Sequence, residues 1–123
     1  MNVVDSSGWL EYLADGPNAD FFASSILATA DLLVPTLSLY EGFKRVQQQR
    51  GEDDALQAVA LMQQATIVEL SAALALSAAR ISLNDKIPIA DSIMLATARA
   101  HGATLWSQDS DFKNISGVRY IAK

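Results

Sequence analysis

Residues 87–112, IPIADSIMLATARAHGATLWSQDSDF, contain the clearest structural pattern in the chain. Apolar residues recur at helical spacing over residues 90–101, and Gly102 then ends the predicted helix. The apolar run at residues 103–107 predicts a buried strand, and a D-x-D motif follows it directly at residues 109–111. A helix that leads through one tight turn into a buried strand is typical of α/β domains.

The same alternation extends over the rest of the chain. Short apolar runs predict four more strands, at residues 2–5, 31–35, 66–70 and 118–121. Helical patterns fill the intervals, at residues 6–14, 18–30, 36–50, 53–64 and 71–83, with Ser6 or Ser7 as the expected cap of the first helix. We therefore predict one α/β domain over residues 1–123, with a mostly parallel central sheet flanked by helices.

The composition narrows the class of protein. The chain has 123 residues, of which 50% are hydrophobic, so it can bury one core. The absence of cysteine excludes disulfides, thiolate zinc sites and cysteine nucleophiles, and the single histidine, His101, excludes a catalytic histidine pair within one chain. No signal peptide and no apolar run of membrane-spanning length is visible, so we expect a cytoplasmic protein without a membrane segment.

The formal net charge of −5 is mild evidence against a nucleic-acid partner. The charge is unevenly placed, because residues 1–43 contain six acids and no Lys or Arg. If some of these acids bind metal ions, their local charge is neutralised and the net charge says little about the substrate.

Acids follow two of the predicted strands. Asp5 ends the first strand and Asp109 follows the strand at residues 103–107. Ligands of such sheets bind outside the carboxyl ends of the strands, so this placement suggests a site. A purely structural role is also open, since Asp5 could cap a helix and Asp111 could cap the turn after Asp109.

Two further acids lie on predicted helices. Glu41 has capping-box spacing from Ser38 and could also pair with Arg45 one turn later. Asp91 stands near a helix start, where the helix dipole favours an acid. It nevertheless shares the apolar face of its helix, and an acid there needs a buried partner because burying an unpaired charge is costly.

Four segments together resemble the PIN domain family, most closely the VapC toxins of bacterial and archaeal toxin–antitoxin pairs. They are VVDSSGWLEYL (residues 3–13), TLSLYEGFK (residues 36–44), the stretch at residues 87–112, and NISGVRYI (residues 114–121). The resemblance covers nearly the whole chain. It implies a PIN-like fold and a Mg²⁺-dependent endoribonuclease that acts as the toxin of a type II toxin–antitoxin system.

The resemblance also implies roles for individual residues. The catalytic, metal-binding acids would be Asp5, Glu41, Asp91 and Asp109. Asp111 is an alternative ligand, since either acid of the D-x-D motif could lie closer to the metal. Ser6 and Ser107 would be hydroxyls that orient the carboxylates, with Ser107 standing where the family often has Thr.

Clustered carboxylates suit this chemistry. Mg²⁺ prefers oxygen ligands, and four acids are enough for one ion, with room for a second; Mn²⁺ is an alternative. Two carboxylates ~5 Å apart repel each other by roughly 3 kcal/mol at an effective dielectric constant near 20. Without metal we therefore expect at least one acid of the cluster to hold a proton at a raised pKa.

Partners follow from the same resemblance. It implies an RNA substrate, a VapB-like antitoxin that blocks the site, and a homodimer, for which the apolar helices at residues 18–30 and 53–64 have surface to spare. Lys44 and Arg45 lie one turn past Glu41 and could flank the same groove, and the other candidate RNA-binding bases are Arg80, Lys86 and Arg99.

Other classes of protein fit less well. A Toprim-like site pairs a D-x-D motif with a Glu that ends a strand, whereas Glu41 falls in a helix and Asp5 and Asp91 would have no role. A receiver or phosphatase site needs a second acid near Asp5, and position 6 is Ser. A non-enzymatic binding module, whose acidic pocket receives a partner's Arg, stays open. The sequence also leaves open the RNA target, the number of metal ions and the identity of the antitoxin.

Overall fold

The computed structural model describes all 123 residues. The five strands are β1 (Asn2–Val4), β2 (Leu32–Pro35), β3 (Thr66–Val68), β4 (Thr104–Ser107) and β5 (Val118–Tyr120). The six helices are α1 (Ser6–Leu13), α2 (Ala19–Leu27), α3 (Thr36–Arg50), α4 (Glu52–Met62), α5 (Ala72–Asp85) and α6 (Ile89–Ala100). Short 3-10 turns at Thr29–Asp31 and Ser110–Phe112 precede β2 and follow β4.

The strands form one sheet in the order β3-β2-β1-β4-β5, and every neighbouring pair is parallel. β1 is the central strand, and its Val3 lies opposite Leu33 of β2 and Leu105 of β4. The predicted α/β architecture is therefore confirmed, with a fully parallel sheet. Because the strands are parallel, the carboxyl ends of β1 and β4 meet at the same edge.

The sheet buries apolar side chains on both faces. Val3 and Val4 are both completely buried, and since successive residues of a strand point to opposite faces, they belong to different cores. Val3 packs in the core that contains Leu95 of α6, and Val4 packs in the core that contains Trp9 of α1. None of the six helices combines the length and the apolarity needed to span a bilayer.

Two predicted helix caps are wrong. β1 ends at Val4 because Asp5 caps α1 itself: its Oδ1 accepts a hydrogen bond from the Gly8 backbone N–H at 3.0 Å, so neither Ser6 nor Ser7 is the cap. The capping box between Ser38 and Glu41 does not form, since α3 begins two residues before Ser38. The Ser38 hydroxyl is buried and donates to the Met94 sulfur at 3.4 Å instead.

The ends of two other elements also differ from the prediction. The helix expected at residues 18–30 ends at Leu27, and the 3-10 turn Thr29–Asp31 leads into β2. α5 extends to Asp85, two residues past the end predicted at residue 83. Lys86 ends this helix in the left-handed backbone conformation, with φ of 56°.

Candidate metal centre

Asp5 is the most buried acid of the molecule, with 2% of its surface exposed. Its carboxylate is held from both sides: Oδ1 accepts from Ser7 Oγ at 2.7 Å, and Oδ2 accepts from Ser107 Oγ at 2.6 Å. Burial raises the pKa of Asp5 because it disfavours the charged form, while these hydrogen bonds act in the opposite direction. Asp5 is thus a fixed, desolvated carboxyl group at the end of β1.

Asp91 lies in the first turn of α6 and is half-buried. Burial raises the pKa of Asp91 to about 8, and the negative charges of Asp109, Asp5 and Asp111 contribute to the same increase. The expected raised pKa within the cluster is therefore confirmed. Without a cation, a proton stays on this group at neutral pH.

Asp109 follows β4 and is fixed by backbone hydrogen bonds. Its own N–H donates to Ser107 Oγ at 2.9 Å, and its Oδ1 accepts from the Asp111 N–H at 2.9 Å. The Ser107 hydroxyl therefore contacts both Asp5 and Asp109 and couples the ends of the neighbouring strands β1 and β4.

One carboxylate oxygen from each of Asp5, Asp91 and Asp109 lies within 4.8 Å of the other two. Three acids at this spacing repel each other unless a proton or a cation lies between them. The donors are all oxygen atoms, and no nitrogen or sulfur ligand is among them, so the cluster fits Mg²⁺ or Mn²⁺ better than a softer metal.

Glu41 and Asp111 lie outside this group of three. The Glu41 Oε1 accepts from Ser6 Oγ at 2.5 Å, so Glu41 borders the cluster through the residue that follows Asp5. The alternative ion pair between Glu41 and Arg45 does not form. The one ion pair of the structure joins Arg99 and Asp85. Asp111 is exposed and contributes its backbone N–H to Asp109.

The five predicted RNA-binding bases lie in different places. Lys44 and Arg45 line a depression together with Ser6 and Glu41, next to the acids. Arg99 lies eight residues after Asp91, or about 12 Å along α6, and donates to the Ser116 carbonyl besides pairing with Asp85. The remaining two, Arg80 and Lys86, are exposed on α5 and at its end.

Sequence reasoning missed two residues beside the acids. The sequence predicts Ser7 only as a possible helix cap, yet its hydroxyl donates to Asp5. Gln108 is buried between Ser107 and Asp109, and its Oε1 accepts from the Asn18 side chain at 3.0 Å. Closeness in sequence to a predicted ligand was the only signal for either residue, since Ser7 lies two positions after Asp5 and Gln108 directly precedes Asp109.

Comparisons with known proteins bear on the fold and the family of the chain. The family model described as PIN domain matches residues 3–118. A chain of a toxin–antitoxin complex from Klebsiella pneumoniae has a TM-score of 0.80 at 18% identity, over 97% of this chain and 96% of that one. No curated protein gives a significant match.

Two other solved structures are similar. The VapC20 toxin of Mycobacterium tuberculosis, described as cleaving the sarcin–ricin loop, has a TM-score of 0.79 at 17% identity, over 96% of this chain and 97% of that one. A chain of DNA-bound VapBC from Salmonella typhimurium has a TM-score of 0.79 at 13% identity, over 99% and 97% of the two chains. At such identities these matches show the fold. The family model spans nearly the whole chain, and the chain therefore belongs to the PIN domain family.

Proposed function

We propose that the protein is a metal-dependent endoribonuclease of the VapC type, the toxin of a type II toxin–antitoxin pair. The observation that carries this proposal is the meeting of Asp5, Asp91 and Asp109 within 4.8 Å, at the sheet edge where α/β proteins bind their ligands. The similar structures support it: one is named as a toxin that cleaves the sarcin–ricin loop, and another as part of a toxin–antitoxin complex.

Asp5, Asp91 and Asp109 would hold Mg²⁺, or Mn²⁺ in its place, with Glu41 and Asp111 as nearby acids that could complete the ligand set. A bound divalent ion supplies positive charge for the phosphate and lowers the pKa of a water molecule. The chain's own part is to position the acids: Ser7 and Ser107 hold both oxygens of Asp5, and Ser6 holds Glu41.

The reaction is hydrolysis of an RNA phosphodiester. A water oxygen bonds to phosphorus, one P–O bond to a sugar breaks, and the leaving oxygen takes up a proton. The negative acids repel the substrate phosphate, so RNA can approach closely only when the cluster is neutralised. This repulsion is the reason for which we expect cleavage by a chain with a net charge of −5 to require a metal ion.

The test is to incubate the purified protein with RNA in Mg²⁺ and in EDTA, and to sequence the RNA ends produced by wild type and by Asp5→Asn. We expect discrete new ends that require both Mg²⁺ and Asp5. Ends that persist in EDTA or with Asp5→Asn would contradict the proposal. Binding of RNA or of a basic peptide without any cleavage would instead support the binding module.

We further propose a VapB-like antitoxin as the partner and a homodimer as the assembly. The Klebsiella and Salmonella relatives come from complexes described as toxin–antitoxin and as DNA-bound VapBC. A small upstream reading frame that overlaps this one would support the antitoxin. Gel filtration that gives a monomer at micromolar concentration would contradict the homodimer.

A further inference from the structure

We propose that single-stranded RNA reaches the acids along one side of the molecule, through a groove that follows α1. This inference rests on the proposed function. The groove consists of two depressions, of about 240 and 250 Å³. We call it the α1 groove, and the residues that line it include Ser6, Ser7, Leu10, Arg45, Gln108 and Lys123.

The two depressions form one path. Both are lined by Leu10 and Arg45, so they are adjacent to each other at these two side chains. Ser6 lines the first depression and Ser7 the second, and their hydroxyls donate to Glu41 and Asp5 respectively. The groove therefore reaches the two hydroxyls that hold Glu41 and Asp5.

Charge in the groove favours phosphate. Three of the nine bases of the chain, Lys44, Arg45 and Lys123, line it, and none of them forms an ion pair within the molecule. The two acids that also line it already accept hydrogen bonds, Glu41 from Ser6 and Glu11 from the Asn18 N–H at 2.7 Å. Unpaired bases next to a metal site can neutralise the phosphates that flank the cleaved one.

A second groove near the cluster has a different character. A groove of about 490 Å³ between α5 and α6 begins near Ile89, two residues from Asp91, and its lining contains no charged residue. An RNA backbone would find no counter-charge there. The asymmetry places the phosphate contacts on the α1 side, so nucleotides on one side of the cleaved bond should contribute most of the affinity.

The groove suits a single strand rather than a duplex. Tyr40, which is 61% exposed, lines its first depression, and Lys44 Nζ lies 5.6 Å from the centre of the Tyr40 ring. An exposed ring beside phosphate-binding bases can stack an unpaired base, and this requires a base that is free of its complement.

Arg45→Ala tests the groove, with Arg50→Ala as the matched control. Both residues are exposed arginines of α3, but Arg50 lies outside the α1 groove and donates to the Leu13 carbonyl. With an unstructured RNA oligonucleotide and Mg²⁺, Arg45→Ala should raise KM about 5- to 10-fold and leave kcat within about 2-fold. The salt dependence of kcat/KM should weaken by about 0.7 in the log–log slope.

Arg50→Ala should change KM by less than about 2-fold, and Arg45→Lys should recover most of the affinity because it keeps the charge. Melting temperatures will show that all three variants are folded. Equal effects of Arg45→Ala and Arg50→Ala, or no effect of Arg45→Ala, would overturn the groove. The groove proposal would also be overturned if Arg45→Ala lost antitoxin binding but kept its KM for RNA, since the groove would then bind a peptide.

Fluorescence anisotropy with the same oligonucleotide separates the groove from the proposed function. The measurement uses Asp5→Asn protein in Mg²⁺, with and without Arg45→Ala. If RNA binding depends on Arg45 but the wild-type protein does not cleave RNA, the groove is supported and the nuclease proposal is refuted. No RNA binding at all, or binding insensitive to Arg45, would refute the groove.

Discussion

The ionised Asp91 carboxylate lowers the stability of the metal-free protein, although the proposed reaction requires it. The folded structure raises its pKa to about 8 from the ordinary value of 3.8, so the folded protein holds more protons than the unfolded chain between these pH values. The contribution of Asp91 to the free energy of unfolding is largest below about pH 4 and decreases as the pH rises towards 8.

Asp91→Asn should therefore abolish cleavage while leaving the metal-free protein as stable as wild type or more so. At pH 8 in EDTA we expect a gain of up to about 1–2 kcal/mol, less than the full pKa shift implies because the side chain is half-exposed. At pH 5 the difference should fall to roughly a third of this gain, because pH 5 lies only about one unit above the ordinary pKa of Asp91. Urea denaturation at both pH values measures this.

Asp53→Asn is the matched control, since Asp53 is an exposed acid in the first turn of α4. The Asp53→Asn variant should be less stable than wild type by about 0.3–1 kcal/mol, because it loses only a favourable interaction with the helix dipole. An Asp91→Asn variant that is clearly less stable than wild type at both pH values would show that Asp91 has a structural role.

Ser107→Ala removes the hydroxyl that joins Asp5 to Asp109. It should lower metal affinity and activity by about 10- to 100-fold, because the Asp5 carboxylate loses a hydrogen bond that helps it stay ionised. Titration of Mg²⁺ against cleavage rate measures this loss. Ser110→Ala changes an exposed serine of the following turn and should have little effect. Equal activities of the two variants would be evidence against an orienting role for Ser107.

At the scale of elements, α1 packs very close to its neighbours. A Cβ atom added at Gly8 would lie 2.7 Å from ring atoms of Phe22 and 2.7 Å from Val4 Cγ1. At Gly42 of α3 the nearest atom would be the Met62 sulfur, at 3.2 Å, on a flexible side chain. The packing therefore requires a glycine at position 8, where the neighbours approach closely. It does not require one at position 42.

Gly8→Ala should destabilise the protein by about 1–3 kcal/mol through overpacking. It should also lower activity, because Asp5 caps α1 and would shift with the helix. Gly42→Ala should be neutral or stabilising by up to about 1 kcal/mol, since Ala favours the helix and Met62 can move. Thermal unfolding of the two variants measures the contrast, and a greater loss for Gly42→Ala would refute this account of the α1 packing.

At the scale of the whole molecule, a metal ion would bind the folded state alone, because its ligands come from residues 5, 91 and 109. Such binding stabilises the fold by about 2.7 kcal/mol at a free concentration 100 times Kd. Mg²⁺ should therefore raise the melting temperature of wild type, and more so at pH 8 than at pH 6, because a proton on Asp91 competes with it.

The same Mg²⁺ titration with Asp5→Asn should give little increase in melting temperature, and NaCl of equal ionic strength controls for screening. An equal increase in both proteins would mean that the ion acts elsewhere. Calorimetry in two buffers should detect the proton released by wild type at pH 7.

Local pattern was enough to predict the order of elements, the mostly parallel sheet, and the placement of Asp5 and Asp109 after two of its strands. Periodicity reports which face of each segment is apolar, and parallel strands carry the acids after β1 and β4 to one edge. The resemblance of the stretch at residues 87–112 to PIN domains added Asp91. The ends of elements were less predictable, since Asp5 competes with two serines to cap the same helix.

Tertiary structure alone decided which side chains hold the acids and how they titrate. Ser107 contacts Asp5 across 102 positions of sequence, and Ser6 contacts Glu41 across 35. No local pattern contains these distances, and the pKa of Asp91 depends on burial and on charges brought in from other segments. The basic residues differ for the same reason. The sequence shows which residues are charged, but only the packing of the chain places Arg45 in the α1 groove and Arg99 against Asp85.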